Sequence, residues 1–186
     1  GTLGGSDVGS LNRIAAATSG DITASITASA GDLANISGIS NKNLTITVNS
    51  AIGLSALDTV HGLSSNNVSV TGSITDSLTA LYDATGVGNR KAALNTAISE
   101  DTNINIVVNN SSITSGDFAK LNAIAGHASH DSSDGTNGTI TANVSGTAAL
   151  IKAGLGNLSA DDQITFTVTG TSNWTDLQQV DLKTEL

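Results

Sequence analysis

Short runs in which apolar and hydroxylated residues alternate recur along the whole chain. They are ITASITA from Ile22, LTITV from Leu44, VSVTG from Val68, INIVV from Ile104, TITANV from Thr139 and ITFTVT from Ile164. A period of two is what a strand with one buried face requires. It points Ile22, Ala24 and Ile26 inward, then Leu44, Ile46 and Val48, then Val68 and Val70. The later strands follow with Ile104, Ile106 and Val108, with Ile140, Ala142 and Val144, and with Ile164, Phe166 and Val168. The opposite face carries Thr23, Ser25, Thr45, Thr47, Ser69, Thr71, Asn105, Asn109, Thr139, Thr141, Thr165 and Thr167, with Val107 among them. β-Branched threonine suits an exposed strand surface.

The segments between the strands change period. Leu11-x-x-Ile14, Leu57-x-x-Val60, Leu121-x-x-Ile124 and Leu177-x-x-Val180 repeat one helical core. Leu33-x-x-Ile36, Leu78-x-x-Leu81 and Leu150-x-x-Ala153 form a second type. Leu11 and Leu57 lie 46 residues apart, as do Ile22 and Val68, so helix and strand keep one register. Strand starts at Ile22, Leu44, Val68, Ile104, Ile140 and Ile164 are separated by 22, 24, 36, 36 and 24 residues. That is too far for hairpins and suits crossovers holding one short helix. The two longer gaps hold an added helix near Asn89 to Ser99 and an exposed loop at Gly126 to Gly138. Thr75, Thr114 or Ser115, and Ser172 are candidate helix caps. The expectation is one α/β domain over residues 1–186, with inserts near 86–100 and 126–138. It is a repeat solenoid with a parallel sheet on one side, short helices on the other and right-handed crossovers. An all-β solenoid and a β-sandwich are the alternatives, the latter disfavoured by the Leu-x-x-Ile segments.

Composition narrows the function classes. Hydrophobic residues make up 38% but aromatic ones only 2%, so the core is aliphatic. The net charge is −9, from 16 acidic and 7 basic residues, which argues against nucleic acid and anionic membrane as partners. No apolar run is long enough to span a bilayer. Cysteine is absent, which excludes disulfides and thiolate zinc, and proline is absent too. The sequence has no Met, so a processed or excised piece beginning at Gly1 is expected.

Units of the form ITVTxT, then ADLxxL, then LNxIxxxTxG resemble the tandem repeats of very large cell-surface proteins of marine cyanobacteria and related bacteria. The matching stretches are LNRIAAATSGDITASITAS, LTITVNS with LSALDTVHGL, and QITFTVTGT with TDLQQV. The resemblance implies an extracellular structural or adhesive role and supplies no active site. The inserts after Tyr82 and after Ala125 depart from an even array.

Candidate chemistry is thin. His127, His130, Asp131 and Asp134 gather two imidazoles and two carboxylates in one loop, a donor set for a divalent cation, with the aspartates favouring Ca2+. Their spacing fits neither an EF-hand nor a zinc helix pair, so a solvated polar loop is the preferred reading and no cofactor is expected. Asp161 and Asp162 are adjacent, which reads as a turn before a strand. His61 reads as a helix C-terminal residue, and Arg90-Lys91 is too small a basic patch for phosphate chains. No G-x-S-x-G, G-x-G-x-x-G or G-K-[ST] motif occurs, so no enzyme is expected. Nine N-x-[ST] triplets, at Asn35, Asn43, Asn67, Asn109, Asn110, Asn137, Asn143, Asn157 and Asn173, are glycan acceptors only in a eukaryotic secretory route.

The remaining surfaces are the hydroxyl face and the ends. The first and last strands carry no charge and no proline, so their edges invite another strand. The leading expectation is an extracellular repeat module or subunit of a fibre, sheath or surface layer at the cell surface. It forms a homo-oligomer or filament by self-assembly through its end strands. An adhesion module that holds glycan or ice on Thr23, Thr45, Thr47, Ser69, Thr71, Thr139, Thr141, Thr165 and Thr167 is the alternative.

Overall fold

The computed structural model describes residues 1–39, 42–101, 103–126, 138–159 and 161–183. In chain order its strands are β1 (Thr2–Leu3), β2 (Ile22–Ala28), β3 (Lys42–Val48), β4 (Ala51–Ile52), β5 (Val68–Val70), β6 (Ser73–Asp76), β7 (Asn105–Val108), β8 (Ile140–Gly146) and β9 (Gln163–Val168). The helices are α1 (Val8–Ala17), α2 (Ala30–Leu33), α3 (Leu54–His61), α4 (Leu78–Leu81), α5 (Ala92–Glu100), α6 (Phe118–Ala125), α7 (Ala148–Gly154) and α8 (Trp174–Asp181). Each strand located by alternation is present, and so is a helix near each Leu-x-x-Ile segment.

All the named strand pairs are parallel, and the strands form two sheets rather than the single sheet expected. One has the order β1-β2-β3-β5, the other β4-β6-β7-β8-β9. The split occurs at two bends in the chain path, Asn49-Ser50 between β3 and β4, and Thr71-Gly72 between β5 and β6. At the second bend the amides of Thr71 and Gly72 both donate to the Val48 carbonyl, at 3.0 and 3.3 Å. The backbone there runs against Ser50, and a Cβ on Gly72 would overlap the Ser50 carbonyl group. Only glycine permits that approach. Thr71 therefore sits in a bend and not in a strand.

In-register pairing stacks like on like. Ile26 lies beside Ile46 and Ile46 beside Val68 in the first sheet. Ile52, Ile74, Ile106 and Ile140 form the matching row in the second. All are buried, as are the helix residues Leu57, Val60, Leu81, Leu94, Leu121 and Ile151 that cover them. Burying each such side chain contributes roughly 1.5–3 kcal/mol. Phe118 fills the space where Gly146 and Gly154 leave room beside α6 and α7.

Four of the described helices, α2, α4, α7 and α8, are capped by hydroxyl or amide side chains, at positions shifted from those expected for α4 and α8, whereas α1, α3, α5 and α6 have no side-chain cap. Ser77 accepts from the Ala80 amide and caps α4, because β6 extends through Thr75. Asn173 accepts from the Asp176 amide and caps α8, leaving Ser172 for another partner. Ser29 and Thr147 cap α2 and α7 in the same way. Thr114 precedes the 3-10 turn that leads into α6, but its side chain makes no capping hydrogen bond there, contrary to the expectation. Among the described residues no helix is long and apolar enough to cross a membrane.

Candidate functional surface

The hydroxyl residues singled out in the sequence fall on both sheets. In the first, Thr27, Thr47 and Ser69 align across three strands, Ser25 lies beside Thr45, and Thr23 beside Asn43. The Asn43 amide donates to Thr23 Oγ1 at 3.0 Å, so part of this row is hydrogen-bonded within itself. In the second sheet Thr75, Val107, Thr141 and Gln163 are neighbours, followed by Asn143 beside Thr165 and Ser145 beside Thr167. Thr139 lies just before β8, where its amide and hydroxyl both engage Asn105 Oδ1. The nine candidate residues are thus divided between two short patches, with Val107 interrupting one and Thr71 on the bend.

A second set of polar side chains reaches from one strand-helix unit to the previous one. Ser50 Oγ accepts the Ala30 amide at 3.0 Å, Asp76 Oδ2 accepts Leu54 at 3.1 Å, and Asn110 Oδ1 accepts Leu78 at 2.7 Å. Ser172 Oγ accepts the Ala148 amide at 3.4 Å. In each case the donor belongs to the start of a helix, whose first amides have no partner within the helix. No sequence motif marks these residues, because the acceptor and its amide lie 20 to 32 positions apart.

Carboxylates also complete strand edges. Among the described residues the far edge of β5 meets no strand; Glu100 Oε2 accepts the Val68 amide at 2.9 Å, and Asp101 Oδ2 accepts the Ser69 hydroxyl at 2.8 Å and the Val70 amide at 3.4 Å. His61, the last residue of α3, places Nε2 3.1 Å from the same Glu100 oxygen, close enough for an ion pair but not aligned as a hydrogen bond. Asp162 is 3% exposed, and its Oδ1 accepts the Ile140 amide at 2.8 Å while Oδ2 accepts the Ser159 amide at 2.9 Å. It does close a turn, as its sequence position suggests. Its burial and its role at the start of β8 were not visible there.

Several basic residues make contacts within the fold. Arg90 donates to Asn95 Oδ1 and to the Ala123 carbonyl, and burial pulls its pKa down. Lys152 sits 3.0 Å from Asp176, joining α7 to α8, and this contact holds the Asp176 carboxyl below its ordinary range. The Thr85 amide and hydroxyl do the same for Asp83. The Asp117 carboxylate, 2.6 Å away, raises the Lys120 pKa. Among the sequons, Asn35 and Asn157 donate their amide nitrogens to the Gly31 and Asn122 carbonyls.

The candidate cation loop of His127, His130, Asp131 and Asp134 lies outside the described residues. Among the described residues, no group of three or more His, Asp or Glu side chains is placed to hold a metal. No protein-family model, curated protein or solved structure matches this chain.

Proposed function

We propose that the chain is a structural module of an extracellular fibre, sheath or surface layer, built as an α/β solenoid whose copies associate through their end strands. The observation that carries this reading is the sequential strand order of both sheets, combined with helix starts completed by side chains from the following unit. Each unit then depends on its neighbours, as in a linear repeat. Asp76, Glu100, Asp101 and Asp162 all accept backbone amides, which is a structural use of carboxylates and not an acid/base one. The cysteine-free, Thr/Ser/Asn-rich composition and the resemblance to giant surface proteins support an extracellular site.

A glycan- or ice-binding surface is the second reading, favoured by the aligned Thr27, Thr47 and Ser69. Thermal hysteresis and glycan-array binding test it. For the structural reading, negative-stain microscopy of native material, with and without a calcium chelator, is expected to show filaments with a regular repeat. Dispersed single particles in both conditions would overturn it.

A further inference from the structure

The edge of β9 is built differently from the carboxylate-closed edge of β5. Thr169 donates its amide to the Gly146 carbonyl at 2.8 Å. By alternation, the odd-numbered residues of β9 face β8, and the amides and carbonyls of Ile164, Phe166 and Val168 face outward. Among the described residues no strand pairs with that edge. Its inward row also loses cover along its length: Ile164 is 6% exposed, Phe166 is half-buried and Val168 is 37% exposed. Their in-register neighbours on β8, Ala142 and Val144, are buried. Trp174, the first residue of α8, is 73% exposed.

We propose that the free edge of β9 takes the same edge of a second copy of this chain, antiparallel, about a two-fold axis through Phe166. The proposal rests on the self-associating reading above and names one of its joints, which pairs two copies; a fibre needs a second contact elsewhere on each copy. Length selects the occupant. Of the other described sheet edges, β1 and β4 have two residues each, so pairing with either leaves most of the six-residue β9 unpaired. The β5 edge is closed by Glu100 and Asp101. The β9 edge matches itself, which makes an isologous, closed contact. Charge agrees, because β9 carries none in a chain of net charge −9, so two copies approach there with the least repulsion.

Pairing centred on Phe166 sets Ile164 opposite Val168 and Thr165 opposite Thr167. Facing residues share a side, so the apolar face and the hydroxyl face each continue across the axis. Because the outward amides belong to residues 164, 166 and 168, this register makes hydrogen-bonded pairs of all three, about six N–H···O bonds across the joint. The two Phe166 rings meet at the axis as an aromatic cross-strand pair.

Analytical ultracentrifugation of the full chain over a wide concentration range tests the joint, with twice the 18.5 kDa chain mass expected at the upper end. Thr165 and Thr167 are exposed, so their replacement leaves the monomer folded, as thermal melts by circular dichroism verify. The double variant Thr165→Glu/Thr167→Glu sets like charges opposite each other and is expected to weaken the dimer about tenfold or more. In Thr165→Lys/Thr167→Glu each introduced lysine faces an introduced glutamate, and the dimer is expected to survive. A wild-type chain that stays monomeric throughout overturns the proposal, and so does a double-glutamate variant that dimerises like wild type. Filaments that persist in the double-glutamate variant keep the module reading and overturn this joint. Dimers without filaments keep the joint and overturn the fibre.

Discussion

β5 and β9 each end an all-parallel sheet, yet among the described residues one edge is occupied by carboxylates and the other meets no strand. The difference originates in a connector. β3 and β5 pair with partners 22 residues apart, as Ile46 with Val68, whereas β6 and β7 pair 32 apart, as Ser73 with Asn105. The longer segment holds α5, which ends at Glu100 beside the β5 edge, where a further strand of the first sheet would lie. The second sheet resumes past it with β7. An insertion therefore stops one sheet and lets its neighbour continue, and it carries the carboxylates that satisfy the strand it leaves behind.

Removing that closure has the largest expected effect. Glu100→Ala/Asp101→Ala strips the acceptors from the Val68 and Val70 amides, and urea unfolding is expected to register a loss of about 3 kcal/mol. Hydrogen exchange at Val68 and Val70 should accelerate in the same variant, making the β5 edge resemble that of β9. Asp162→Ala is next. It leaves the buried Ile140 amide unsatisfied at the start of β8, at a cost of about 2 kcal/mol, and Asp162→Asn should recover part of this because its amide oxygen still accepts.

The Lys152–Asp176 contact beside β9 gives a smaller effect with a defined pH sense. The folded Asp176 pKa lies below its unfolded value, so the unfolded chain binds the proton more readily. The contribution is complete above the ordinary carboxylate value of about 3.9 and disappears as pH falls through the lower folded value. A carboxyl-carbon NMR titration should show the Asp176 midpoint returning toward the ordinary range in Lys152→Met. Least of all, Trp174→Ala should change the stability of the dilute chain by no more than about 0.5 kcal/mol, since the ring is largely in solvent.

The strands were legible because threonine against isoleucine or valine is a strong period-two signal, and their long spacing excluded hairpins. The division into two sheets was not, since a two-residue bend such as Asn49-Ser50 leaves the apolar alternation on either side intact. Caps were displaced by one or two residues because more than one Ser, Thr or Asn precedes the helix, as in Thr75-Asp76-Ser77 before α4 and Ser172-Asn173 before α8. Glu100, Asp101 and Asp162 escaped for a different reason: their partners are amides of distant strands, and a backbone amide has no sequence signature. Thr23, Thr45 and Thr47 do lie on one sheet face, but the alternation carries no sign that Thr141 and Thr165 belong to another sheet.

The pairing separations have a kinetic consequence. Ile22 meets Lys42, Ile46 meets Val68 and Thr141 meets Gln163, while the longest step joins Ile106 to Ile140. Every strand therefore closes a short loop to a partner that emerges within a few tens of residues, and loop-closure entropy stays small throughout. For a parallel β protein this is a low contact order, which favours fast assembly. During synthesis the amino-terminal strands can settle before the carboxyl-terminal ones exist, so β2 and β3 can pair before β8 and β9 have been made.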